Sequence, residues 1–145
     1  MSAYEWVYLF NYRGDRKSGY ATVNGVKGVV FLPDNWTLPS GSLSFSPVRT
    51  DFTTNVYTVS DWKAMEWAGA VFLPLAGYRQ GTVVHNISGN DHRGHYWTSS
   101  AYNTSGREVY ACTMGGTQNP NLTIYVENVQ QRCSGSSVRL VRDLQ

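Results

Sequence analysis

The sequence predicts an α+β fold in which short elements are joined by long loops. Apolar residues recur at helical spacing in two places, short apolar runs typical of strands lie around them, and glycine occurs 14 times among 145 residues. A chain of this length can bury one sizeable core. Because we see neither a linker nor an internal repeat, we expect a single domain over residues 1–145.

The first helix is predicted at the beginning of the chain. Ser2 and Glu5 match the S-x-x-E capping box, in which each side chain accepts a hydrogen bond from the other residue's backbone N–H. Trp6 and Phe10 follow at helical spacing, and Gly14 marks the expected end.

The second helix is predicted from Ser60, which we expect to be the N-cap. Asp61 would lie in the first turn, where the helix dipole favours a negative charge, and Gly69 would end the helix. Three side chains are expected to face inward: Trp62, Met65 and Ala68.

Strands are predicted on both sides of this second helix. Val26–Leu32 is typical of a buried strand ended by Pro33, and Val71–Leu73 of a short one. The stretches Trp36–Tyr57 and Gly77–Gly94 are predicted to be irregular loops. Four more short strands are expected near Tyr96-Trp97, at Val109–Met114, at Leu122–Val126 and at Val138–Val141.

Charge and hydropathy argue against two classes of partner. The formal net charge is only +2 and no basic run occurs, so nucleic-acid binding is not expected. No apolar stretch reaches bilayer-spanning length, so we expect no membrane insertion. Met1 leads directly into the helix start, so no signal peptide is expected within this chain, although secretion stays open.

Catalytic and metal chemistry find little support in the residue pattern. Asp91, His92 and His95 have metal-ligand character, but no second cluster completes a coordination sphere, so we predict no metal. Ser99 and Ser100 lie near His95, but their surroundings predict a strand and lack a G-x-S-x-G turn. The acidic residues are scattered, and no motif pairs them for glycoside hydrolysis.

The last fifty residues consist of two ordered blocks around an irregular one. His95–Ser100 is predicted to be a strand that enters a turn, and Gly135–Arg142 contains the period-2 alternation of a half-buried strand. Between them, residues 102–134 are small, polar or aromatic, with no repeating apolar face. Tyrosine, serine, glycine and asparagine give contact area and adaptable hydrogen bonds at low entropic cost. We therefore interpret this segment as a display surface held between two strands.

The same blocks carry a resemblance to a known family. Residues 96–100 (YWTSS) and 132–141 (RCSGSSVRLV) resemble the C-terminal signature of the C-type-lectin-fold variable proteins diversified by diversity-generating retroelements. Related domains occur in bacterial paralogous surface proteins and in the formylglycine-generating enzymes. Four upstream blocks also resemble the family, at 2–6 (SAYEW), 21–28 (ATVNGVKG), 31–36 (FLPDNW) and 72–79 (FLPLAGYR). In the family, strands usually precede the SAYEW-like helix, so the chain is expected to lack those N-terminal strands.

The resemblance implies a C-type-lectin-like fold with two helices, a small mixed or antiparallel sheet and long ordered loops. It also implies a variable ligand-binding region over residues 95–137, with tyrosines as aromatic anchors and arginines as polar ones. The implied binding residues are His95, Tyr102, Arg107, Tyr110, Cys112, Met114, Thr117, Asn119, Asn121, Thr123, Tyr125, Gln130, Arg132, Cys133 and Ser134. Met114 and Glu127 depart from the simplest scheme, because adenine-directed mutagenesis of an asparagine codon does not yield methionine or glutamate.

The function implied by the resemblance is non-catalytic recognition of a macromolecule, either a protein or another cell-surface component. No cofactor is implied, and the expected location is a cell surface or a phage particle. Two alternatives stay open: a fixed structural or assembly module, and an enzyme of the formylglycine-generating type. A further alternative is an ordinary loop-rich domain without active diversification.

Cys112 and Cys133 bear on these alternatives. They lie in segments that could be neighbouring strands, so a disulfide is one interpretation. In the register of the family both fall at variable positions, which favours chance occupancy. The family's copper-binding enzymes carry closely spaced cysteines, which these two are not. Asn119-Pro120-Asn121 lacks the acid of the calcium-binding lectins, so calcium-dependent sugar binding is not implied either.

Overall fold

The described part of the chain contains two helices and three small β-sheets, which confirms the predicted α+β class. The computed structural model describes residues 1–13, 17–39, 43–48, 50–87, 92–102, 108–115 and 124–140, with the backbone alone at 124–128. Within these ranges, no helix has both the length and the apolar character needed to cross a bilayer.

The first helix begins as the sequence predicts. Helix α1 covers Ala3–Val7, and its capping box joins the Glu5 backbone N–H to Ser2 Oγ at 3.2 Å and the Ser2 N–H to Glu5 Oε2 at 2.6 Å. The helix continues as a π-helical turn over Tyr8–Tyr12. Trp6 and Phe10 are buried and stack with their ring centroids 5.8 Å apart. The predicted stop at residue 14 lies outside the described residues.

Two strands of the first sheet, Ser18–Val23 and Val56–Tyr57, are not among the predicted ones. Strands β1 (Ser18–Val23), β2 (Val26–Phe31), β3 (Val56–Tyr57) and β4 (Val71–Pro74) are arranged in the order β3-β1-β2-β4. Asn24 and Gly25 join β1 to β2 with φ angles of 47° and 80°. An Asn-Gly pair with both φ angles positive is the preferred two-residue hairpin turn, so this dipeptide was the signal for β1.

The first sheet separates two apolar layers because alternate residues of β2 point to opposite faces. Val29 and Phe31 pack with Trp6 and Phe10, whereas Val30 joins a second cluster around helix α2. Helix α2 covers Val59–Trp67.

The N-cap of helix α2 lies two residues before the predicted N-cap. Thr58 is the N-cap, and its reciprocal partner Asp61 occupies the N3 position that a capping box requires. Ser60 therefore lies inside the first turn. Met65 is buried as predicted, and Gly69 follows the helix with a φ of 95°. Trp62 also faces inward as predicted, half-buried against the second cluster, whereas Ala68, the C-cap residue, is exposed.

The described residues of the predicted loop Trp36–Tyr57 are irregular as expected, except that the last two form β3. Asn55 is buried and organises this loop. The Asn55 amide donates to the carbonyl oxygens of Tyr20 and Ser46, each at 2.7 Å, and accepts from the Ser46 N–H at 2.9 Å. A buried amide satisfied in this way fixes a loop that has no regular backbone pairing.

The segment Gly77–Gly94, predicted to be a loop, contains a hairpin. Strands β5 (Tyr78–Gln80) and β6 (Val83–His85) pair antiparallel, and β7 (Arg93–Ala101) begins before the segment ends. Gly77 lies before the hairpin with a φ of 65°, where a Cβ would collide with the His85 carbonyl oxygen. The alternation of the hairpin is too short to stand out from the loop around it.

The third sheet holds the C-terminal part of the chain. Strand β7 pairs antiparallel with β8 (Glu108–Gly115), which pairs antiparallel with β9 (Ile124–Gln131). These three strands were predicted, with shorter bounds. The prediction of a strand at Val138–Val141 is wrong for residues 138–140, which are exposed and belong to no described β-ladder. Residue 141 lies outside the described residues.

Candidate functional site

The two blocks that frame the predicted display segment do meet in space. After β9 the chain turns back along the free edge of β7, where the Trp97 N–H donates to Ser137 O at 2.9 Å and the Ser137 N–H donates to His95 O at 2.8 Å. Gly135 is held on its other side by two backbone hydrogen bonds with Arg79 of β5. Pairing therefore occurs at residues 135–137 instead of at 138–140.

One face of the third sheet packs into the core. Tyr96, Cys112 and Met114 join the cluster around Trp6, and the Tyr96 hydroxyl donates to Pro74 O at 2.8 Å. Cys112 and Met114 are 0% exposed. The expectation that these two side chains belong to a displayed surface is therefore wrong, because alternation along β8 directs them inward.

The opposite face is covered near its middle by the β5-β6 hairpin. His95 is 3% exposed, and its ring lies 4.8 Å from that of Tyr78, which also stacks on His85 at 5.0 Å. His95 Nε2 lies 3.2 Å from Asn86 Oδ1, and Nδ1 lies 3.2 Å from Thr113 Oγ1. Because the amide oxygen can only accept, Nε2 carries the proton, and Nδ1 accepts from the threonine hydroxyl. His95 is thus a satisfied interior histidine, and its predicted surface role is wrong.

The far end of the sheet is the part that faces solvent. We call it the distal end and define it by Tyr102, Val109, Tyr110, Gln130 and Arg132. Val109 pairs with residue 101 on one side and with Gln130 on the other. Tyr102 is 46% exposed and meets Tyr110 edge to face, with ring centroids 5.4 Å apart and an interplanar angle of 88°. Tyr110 and Gln130 are half-buried, and Arg132 is exposed.

A buried hydroxyl holds the distal end to the rest of β7. Thr98 Oγ1 donates to Tyr110 O at 2.8 Å and accepts from the Ser100 N–H at 3.2 Å. It does so where the pairing of β7 with β8 shifts register, between Trp97 and Ala101. After the irregularity Ala101 pairs with Val109, and the next residue, Tyr102, lies against the ring of Tyr110.

The predicted binding residues therefore fall into separate groups. Tyr102, Tyr110, Gln130, Arg132 and Cys133 lie at or beside the distal end, whereas Ser134 is buried in the following turn, which removes it from a displayed surface. Tyr125 lies within β9, opposite Thr113. The predicted positions outside the described residues are Arg107, Thr117, Asn119, Asn121 and Thr123. Val109 is not among the predicted site residues. Alternation along a strand predicts the face on which a residue lies, but it does not predict exposure at the end of a sheet.

The two cysteines are free thiols, so the disulfide interpretation is wrong. Burial raises the pKa of the Cys112 thiol, since the thiolate would lose its hydration in the core. Cys133 is exposed, and its Sγ lies 3.5 Å from Gln131 Oε1.

The residues considered for catalysis have structural partners. Ser100 Oγ accepts from the Ala3 N–H at 2.9 Å, which ties the end of β7 to the start of α1. Asp91, one of the three residues with metal-ligand character, lies outside the described residues. Among the residues that are described, no group of three histidine, cysteine or acidic side chains is placed to hold a metal ion.

Comparison with protein-family models, curated proteins and solved structures finds no match to this chain.

Proposed function

We propose that this chain is a non-catalytic recognition domain that binds a macromolecular ligand at the distal end of the third sheet. The observation that carries the proposal is the partly exposed, edge-to-face pair of Tyr102 and Tyr110 beside the exposed Arg132. Tyrosine and arginine are enriched among the residues that dominate binding energy at protein interfaces. A tyrosine also offers a large contact area with only two rotatable side-chain bonds, so ordering it on binding costs little entropy.

We propose further that the scaffold is C-type-lectin-like and that a retroelement diversifies this surface. The resemblance of residues 96–100 and 132–141 to the variable-protein family supports this, and backbone pairing of Trp97 with Ser137 is what a frame of two neighbouring segments requires. Diversity at His95, Cys112 or Met114 would disturb the interior. Among the described positions, tolerated variation is therefore expected at the distal end and at Cys133. The location would be a cell surface or a phage particle.

The alternatives use the same residues differently. An enzyme of the formylglycine-generating type needs a reactive thiol, and the raised pKa of Cys112 opposes thiolate formation there. A fixed assembly module would use the distal end as a contact between subunits. Sedimentation of the purified chain separates this alternative from recognition, because a subunit contact of that kind makes the oligomeric state depend on Tyr102.

The genetic part of the proposal is tested at the encoding locus. We expect a near-copy of the codons for residues 96–141 beside a reverse-transcriptase gene, differing from the coding copy mainly at template adenines. A locus without such a repeat would remove the proposed diversification and favour a fixed module.

The binding part is tested with arrays of immobilised cell-surface proteins and glycans. Tyr102→Ala should weaken binding to any partner found there by at least about tenfold, as truncation of an interface anchor does. Tyr12→Ala is the matched control, because Tyr12 is 72% exposed on the helical segment that follows α1. Equal binding by the two variants, or unfolding of Tyr102→Ala, would contradict the assignment of the distal end.

A further inference from the structure

A cavity of about 320 Å³ is lined by none of the distal-end residues. It opens between α1, the edge of the first sheet and the segment at residues 139–140. Its walls are largely apolar and include Trp6, Leu9, Phe31, Val71 and Leu73. The volume is at the lower end of the range of about 300–1,000 Å³ that small-molecule sites occupy. It therefore suits a ligand the size of a medium-chain fatty acid better than a whole phospholipid.

The wall contains two hydrogen-bond donors that a ligand could use, the indole N–H of Trp6 and the guanidinium of Arg139. Trp6 is 1% exposed, and its indole Nε1 has no hydrogen-bond partner among the residues that the structure describes. A buried N–H without an acceptor costs free energy that a ligand oxygen would recover. Arg139 lines the same cavity and is exposed, and its guanidinium makes no hydrogen bond to any described residue.

The second arginine of the cavity is already engaged. Arg13 Nε lies 2.7 Å from Asp34 Oδ1, and its Nη2 donates to Leu32 O at 2.6 Å. Arg13 and Asp34 cancel in charge, so the positive charge of Arg139 is left to act on a ligand. The guanidinium of Arg139 and the indole N–H of Trp6 therefore suit an anionic oxygen ligand such as a carboxylate.

We propose that this cavity binds an amphipathic monocarboxylate of the medium-chain fatty-acid type. Its hydrocarbon chain would lie against Leu9, Val71 and Leu73, where burial of each methylene is favourable. Its carboxylate would accept hydrogen bonds from Trp6 Nε1 and from the guanidinium of Arg139, and bonds of this charge-assisted kind are the stronger ones. The site uses none of the distal-end residues, so it stands whether or not the proposed recognition function is correct.

The proposal is tested with decanoate below its critical micelle concentration and the full chain, by calorimetry and by ¹⁵N NMR of the indole N–H signals. We expect 1:1 binding that shifts the Trp6 signal and leaves the signal of Trp67 in place, since Trp67 is 94% exposed on α2. Trp6→Phe assigns the signal. Arg139→Gln should weaken binding by roughly tenfold or more, because it removes a charged hydrogen-bond donor at an exposed position. Lys63→Gln removes an exposed charge on α2 and should leave binding unchanged.

Four results would overturn the proposal. Absence of decanoate binding to the wild-type chain is the first. Equal affinity for decanol would show an apolar cavity without recognition of the carboxylate, and equal affinity of Arg139→Gln and Lys63→Gln would remove Arg139 from the site. The last is a dimer in sedimentation that Leu140→Ser dissociates, which would assign the cavity to a second copy of the chain.

Discussion

Replacing Thr98 by valine tests how the distal end is held in place. Thr98 is only 9% exposed, and its hydroxyl both donates to Tyr110 O and accepts from the Ser100 N–H. Valine has nearly the same shape but no hydroxyl, so it leaves both backbone groups without their partner in a largely buried place. Each lost hydrogen bond of this kind costs about 1 kcal/mol, so Thr98→Val should lower the free energy of unfolding by about 2 kcal/mol.

For a chain of this size, 1 kcal/mol corresponds to a shift of about 3–4 °C in the melting temperature, so Thr98→Val should melt roughly 6–8 °C below the wild type. Thr98→Ser is the matched control, because it keeps the hydroxyl and loses one methyl group, at a cost of about 0.8 kcal/mol. Thermal and urea unfolding measure both changes, and hydrogen exchange at the Ser100 amide reports the local bond. A Thr98→Val protein as stable as Thr98→Ser would refute the role given to the hydroxyl.

Three further predictions concern packing, thiol chemistry and pH. Gly28→Ala should destabilise the chain by about 3 kcal/mol in urea unfolding, because the new Cβ would overlap the Phe72 ring; unchanged stability would contradict the close approach. A thiol reagent should label Cys133 in the folded chain and Cys112 only after unfolding, and equal rates would contradict the burial of Cys112. Burial raises the pKa of Tyr57 from 10.0 to about 12. The folded chain holds that proton more tightly, so from about pH 10 stability should fall with rising pH by about 1.4 kcal/mol per unit, an alkaline slope that Tyr57→Phe should reduce.

The local elements followed from sequence wherever neighbouring residues alone decide them. The S-x-x-E pattern at Ser2 is satisfied within one helical turn, so it gave the start of α1 correctly. The predicted start of the second helix was two residues too late, because Thr58 and Ser60 are both good N-cap residues. The reciprocal hydrogen bonds between Thr58 and Asp61 make Thr58 the N-cap. The hairpin turn at Asn24-Gly25 is an equally local signal, and attention to it would have predicted β1.

The candidate site was only partly open to prediction. The frame of residues 95–100 and 135–137 does come together, and Tyr102 and Tyr110 lie near it with part of their surface exposed. Burial on the second face of the sheet was not visible in the sequence, because it depends on a hairpin that folds back over His95 from residues 78–85. A period-2 pattern reports which residues share a face, but it does not report what covers that face.

The sequence by itself determined the α+β class, the N-cap of α1, the existence of most strands and the richness in tyrosine, since each depends on composition or on residues a few positions apart. Only the tertiary structure decided which of those residues face solvent. Cys112 and Tyr110 are two positions apart on one strand and share a face, yet the core covers the first and ends before the second. Tertiary structure also brings together Trp6 and Arg139, which lie near opposite ends of the chain. They line one cavity because the backbone near Ser137 runs beside β7.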